Sequence, residues 1–88
     1  MRRRIKRMES NVRKTRLTPR AVVGYMVNKT GLSKVELSKR LGKSATYINR
    51  YTTDGSIPSL NNLEIIAAEC GYEIHLVGHD EDILVVSK

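Results

Sequence analysis

SKVELSKRLGKSATYINRYTTDG, residues 33–55, decides the fold. The stretch reads as two short helices hinged at Gly42. Ser33 followed by Glu36 forms an S-x-x-E capping box: the serine oxygen accepts a free amide of the first turn, and the glutamate reaches back to the serine amide. Val35, Leu37 and Leu41 are expected to point inward from the first helix. Gly42 ends it, at a left-handed backbone conformation that costs a non-glycine residue about 1 kcal/mol or more. Ser44 is the expected next N-cap, followed by a helix from Ala45 to Tyr51 anchored by Ile48 and Tyr51. Its outward face offers Ser44, Ala45, Thr46, Asn49 and Arg50, which are short or hydrogen-bonding and carry no acid. A helix with few inward anchors and such a face suits the major groove of DNA.

The stretch resembles the helix-turn-helix of the lambda-Cro-like, or Xre-type, repressor family. That family has a small residue where its two helices touch, and Ser38 stands there. A glycine follows four residues later, here Gly42, and the hydrophobic anchors correspond to Leu37, Leu41, Ile48 and Tyr51. The tail from Thr53 to Leu60, TDGSIPSL, resembles the family's loop into its fourth helix. Two positions depart from the pattern. Lys43 stands where the residue after the glycine is usually aliphatic, and Lys34 or Val35 stands where an amide often touches phosphate. The resemblance covers roughly residues 18–71. It implies a four- to five-helix lambda-repressor-like helix-turn-helix domain; with the C-terminal β-hairpin that the alternation after residue 71 predicts, the expected fold class is α+β, mainly α. It also implies duplex DNA as partner, with Lys34, Lys43, Ser44, Ala45, Thr46, Tyr47, Asn49, Arg50 and Thr53 as candidate contacts.

Charge points the same way. Residues 1–16 hold eight Lys/Arg and one Glu, a net +7, and residues 17–88 sum to zero. Within that remainder, Ser33–Tyr51 carries a net +4 and Glu64–Lys88 a net −5. A basic arm and motif opposite an acidic end make a dipole that orients the molecule toward a polyanion. Eighty-eight residues suffice for one domain with a modest core. No apolar run is long enough to span a membrane, and no apolar segment follows the basic N-terminus as a secretory signal requires. The single cysteine makes no internal disulfide, and no Cys/His cluster has metal-ligand spacing. No cofactor or metal is expected, and a reducing cytoplasm fits.

In chain order, residues 1–16 form an expected basic arm, 17–71 the helix-turn-helix domain and 72–88 a hairpin. Like charges repel along the arm, and Ile5, Met8 and Val12 give it only a rough helical spacing. Arg13, Lys14 and Arg16 are its candidate phosphate contacts, against the alternative of a solubilising tail. Thr18-Pro19 opens a first helix, cap then proline, with Val22, Val23, Met26 and Val27 inward. Ser59 caps a later helix, Leu60 to Cys70, whose stripe is Leu60, Leu63, Ile66, Ala67 and Cys70. On that stripe Cys70 reads as a small buried hydrophobe. The period then changes: Tyr72, Ile74 and Leu76 alternate with Glu73, His75 and Val77, and a second strand runs from Asp82 to Ser87. A lone hairpin has two open edges and is marginal in water. Tyr72, Ile74, Leu76, Ile83, Leu84, Val85 and Val86 are therefore the candidate dimerisation residues. His75 and His79 read as surface or edge histidines.

The leading functional reading is a sequence-specific transcriptional regulator, a repressor binding a palindromic operator as a homodimer. The alternative is an antitoxin that binds a toxin protein and represses its own operon. RNA binding through the arm lacks the aromatic stacking pattern of sheet-type RNA binders. No nucleophile–base pair, phosphate loop or metal set supports an enzyme.

Overall fold

The structure, a computed structural model, describes residues 16–87. Among them it has four helices and one two-stranded antiparallel sheet: α1 Pro19–Thr30, α2 Lys34–Arg40, α3 Asn49–Thr52, α4 Leu60–Glu69, β1 Ile74–Val77 and β2 Asp82–Val85. A fifth helix is not present among the described residues. Residues 1–15, with Ile5, Met8, Val12, Arg13 and Lys14, lie outside them, as does Lys88.

Each longer helix starts at a residue whose side chain replaces a missing helical partner. Thr18 accepts the Ala21 amide, with Pro19 at a position that needs no N–H. Ser33 accepts the Glu36 amide at 3.0 Å, and Ser59 accepts the Asn62 amide at 3.1 Å. The capping box is only half built. The Glu36 carboxylate turns to Arg40, 3.3 Å away and one turn on, rather than back to Ser33. Helix α4 closes in a Schellman motif: Tyr72 donates to Ala67 and Gly71 to Ala68, with Gly71 left-handed. That closure explains why β1 begins at Ile74 and not at Tyr72. The Tyr72 amide is already spent on the helix end.

The core is Val23, Met26 and Val27 from α1, Leu37 from α2, Ile48 and Tyr51 around α3, and Ile66 and Ala67 from α4. Val22, Leu41, Leu63, Cys70 and Ile74 pack around it. Burying each large aliphatic side chain favours the fold by about 1.5–3 kcal/mol. Two residues expected in this core are outside it. Val35 is 47% exposed, because two residues before Leu37 is about 200° around the helix. Leu60 shares the α4 stripe but is 55% exposed, since it sits at the first helical position, beyond the end of the core.

The hairpin pairs Ile74 with Val85, His75 with Leu84, Leu76 with Ile83 and Val77 with Asp82. One face therefore carries Ile74, Leu76, Ile83 and Val85, and Ile74 at its end packs against the helical core. The other carries His75, Val77, Asp82 and Leu84. Leu76, Val77, Ile83, Leu84 and Val86 are all exposed.

Candidate nucleic-acid interface

Ser38 holds the two helices of the motif together. It is fully buried, and its hydroxyl donates to the Lys34 carbonyl at 2.7 Å and accepts the Ile48 amide at 3.0 Å. Its carbonyl also accepts the Lys43 amide at 3.0 Å. One serine thus ties α2, the turn and the entry to α3. Gly42 stands in that turn at φ +74°, as a left-handed residue ending α2.

The same hydrogen bond corrects the expected second helix. A regular helix from Ala45 would send the Ile48 amide to the Ser44 carbonyl four residues back. Ile48 bonds Ser38 instead, and the Ser44 carbonyl takes Tyr47 at 3.0 Å. Residues 45–48 are consecutive turns, and α3 proper begins at Asn49. Ser44 makes no side-chain cap among the described residues; it contributes its carbonyl only. The sequence read Ser38 as a small residue at a helix contact and missed its hydroxyl. The signal was a serine, rather than an alanine, on the inward stripe between Leu37 and Leu41.

The outward side chains fall into two groups. Lys34 Nζ lies 3.4 Å from Asn49 Oδ1 and 3.2 Å from Thr53 Oγ1, and Thr53 Oγ1 lies 2.9 Å from Asn49 Oδ1. This triad joins the start of α2 to α3. The second group surrounds Tyr47, whose ring has Lys43 Nζ at 5.4 Å and Arg50 Cζ at 5.9 Å from its centroid. Both cations lie within reach of the ring's negative face. Tyr47 also meets Tyr51 edge-on at 5.4 Å. Burial pushes the Tyr47 hydroxyl up to about 12, aided by the hydrogen bond and charge of Tyr51 and opposed by Arg50. The phenol therefore stays neutral and carries the two cations as a platform. Ser44, Ala45 and Thr46 are exposed at the leading end of this surface, between Lys43 and Tyr47 in sequence. Arg16 is exposed at the edge of the described chain.

Arg20 was not expected near this region. Its guanidinium covers Gly55 in the loop after α3, where an added Cβ would lie 2.3 Å from Arg20 Nη1. Gly55 is itself left-handed, at φ +82°. In and beside the hairpin, His75 meets Glu73 at 3.0 Å through Nε2 and Asp82 through Nδ1, so both ring nitrogens have a carboxylate partner. Cys70 is half-buried, and burial followed by the Glu69 charge raises its thiol pKa. Among the described residues no group of three His, Cys, Asp or Glu side chains is placed to hold a metal ion. No described helix is long and apolar enough to cross a membrane.

A family model described as helix-turn-helix matches residues 25–77, which span α2, the turn, α3, α4 and β1. Neither a comparison with curated proteins nor one with solved structures gives a match. The family match covers more than half of the 88 residues and includes the Ser38–Gly42–Ile48 hinge. The chain belongs to the Xre/Cro-like helix-turn-helix family of DNA-binding transcriptional regulators.

Proposed function

We propose that the surface from Lys43 to Arg50 enters the major groove of a specific operator, and that two copies joined through their hairpins read it as a palindrome. Thr46 and Asn49 are the base readers. Lys34, Lys43, Ser44, Ala45, Tyr47, Arg50 and Thr53 surround them as backbone and groove contacts. Arg13, Lys14 and Arg16 of the arm add phosphate contacts.

The observation that carries this reading is the placement of that surface. Ser38 fixes its angle through a buried hydrogen bond, and the face it presents is basic or neutral throughout. The acidic groups Asp80, Glu81 and Asp82 lie on and beside the hairpin instead. Repression needs only occupancy, because a bound dimer blocks other users of the same duplex. The protein then acts in the cytoplasm, with the DNA.

Dimerisation supplies what one short helix lacks. A single reading helix spans too few base pairs to select one operator among the roughly million or more competing sites of a genome. Two-fold symmetry doubles the site, with half-sites about 34 Å apart. The exposed aliphatics of β1 and β2, and the open strand edges, are the surface that supports the joint. One observation favours a second reading. The same aliphatics adjoin acidic residues, a combination complementary to a basic protein, as an antitoxin's toxin-binding surface would be.

The test is equilibrium binding of a labelled random duplex with structured RNA as competitor at equal salt, run beside sedimentation of the free protein. The proposal expects duplex preference and a dimer. A preference for RNA contradicts the groove assignment. A monomer that sediments as a complex only with a basic partner favours the antitoxin reading.

A further inference from the structure

We propose that Asn49 reads a guanine through its amide hydrogens alone, because Lys34 and Thr53 occupy its carbonyl. The inference rests on the groove reading above and specifies the base chemistry of that site.

An asparagine side chain offers one acceptor oxygen and two donor hydrogens. Free, it matches adenine, accepting from N6 and donating to N7. Here Oδ1 has the Lys34 ammonium at 3.4 Å and the Thr53 hydroxyl at 2.9 Å. An ammonium has only donors, so the atom that faces it must be the oxygen and not the amide nitrogen. Oδ1, which has two lone pairs, thus already has two donors against it. What Asn49 keeps for DNA is Nδ2 with its two hydrogens.

In the major groove, guanine presents two adjacent acceptors, N7 and O6. Both suit a group that only donates. Adenine presents N7 beside the N6 donor, and that donor would meet an oxygen already occupied. Lys34 and Thr53 are thus specificity-determining without reaching the base themselves. They come from different ends of the motif, fifteen residues before Asn49 and four after it. Lys34 holds the amide across the hinge, and Thr53 holds it from one turn further along the same helix.

The experiment starts from a duplex enriched out of a random pool by the parent protein. Asn49→Ala identifies the base pair at which discrimination is lost. Guanine and adenine versions of that pair are then compared for the parent and for the double variant Lys34→Met, Thr53→Val. Both substitutions are on exposed side chains, and melting curves check that the fold is kept. Loss of a lysine weakens both duplexes alike, so the guanine-to-adenine ratio is the readout. The parent is expected to favour guanine about tenfold, the ratio that 1.4 kcal/mol provides. The double variant is expected to level or reverse that ratio. A parent preference for adenine, an unchanged ratio in the double variant, or no position sensitive to Asn49→Ala would each overturn the assignment. Failure to enrich any sequence would instead overturn the operator reading beneath it.

Discussion

The Ser38 hydroxyl accepts the buried Ile48 amide at 3.0 Å across the turn. Two helices of only seven and four residues cannot fix their own angle by area of contact. A directional bond between a fully buried hydroxyl and a buried amide can. Ser38→Ala keeps the volume and removes the acceptor, leaving the Ile48 amide without its partner. The expected loss is about 1–3 kcal/mol in chemical denaturation. Ser38→Leu adds overpacking of roughly 1–3 kcal/mol and forces the helices apart. If Ser38→Ala unfolds like the parent, size alone is what the position requires.

Two glycines separate backbone strain from crowding. Gly42 is left-handed, and a Cβ there would meet nothing within 4 Å. Gly42→Ala therefore reports the strain alone, about 1–2 kcal/mol. Gly55 has the same strain plus the Arg20 guanidinium in the way. Because that obstacle is the far end of a flexible side chain, Gly55→Ala is expected to cost about the same 1–2 kcal/mol. A much larger loss, recovered on adding Arg20→Ala, would mean that Arg20 is held in place over the loop.

The hairpin carries a pH dependence of definite sign. Hydrogen bonds from His75 to Glu73 and then Asp82 raise its pKa above the ordinary 6.5. A raised folded-state value means the histidine's contribution to stability is complete below pH 6.5 and is lost as pH rises through the raised value. Melting temperature should therefore decline across that window in the parent and stay flatter in His75→Gln. A ring titration by NMR with a midpoint at or below 6.5 would remove the bridge from the account.

The register decides which hairpin residue tests the dimer. Val85 pairs with Ile74, which packs on the core, whereas Leu84 pairs with His75 on the far face and is 46% exposed. Leu84→Asp is expected to give a folded monomer in sedimentation, with its melting nearly unchanged. Val85→Asp is expected to destabilise the protomer itself. A Leu84→Asp protein that remains a full dimer with parental affinity would place the joint elsewhere.

Much of this architecture is legible in the chain because its signals are local. Thr18, Ser33 and Ser59 each mark a helix start with one side chain, and Gly42 and Gly71 mark ends through a conformation other residues resist. The losses are where a distant group competes for a backbone atom. The first turn after Ser44 departs from helix because Ser38 takes the Ile48 amide from ten residues away. Glu36 left its capping role because Arg40 was available one turn on. The Lys34–Asn49–Thr53 triad depends on the crossing of two helices. The sequence marked all three residues as candidate DNA contacts but held no signal of their contact with one another.

Selection from a random duplex pool distinguishes a surface that reads a palindromic duplex as a pair from one that reads a single half-site or none. The expected result is enrichment of one inverted repeat, with half-sites about 34 Å apart centre to centre. Asn49→Ala is expected to relax one symmetric base pair in each half. Enrichment of a single asymmetric half-site, or of no sequence above the random pool, would contradict reading as a pair.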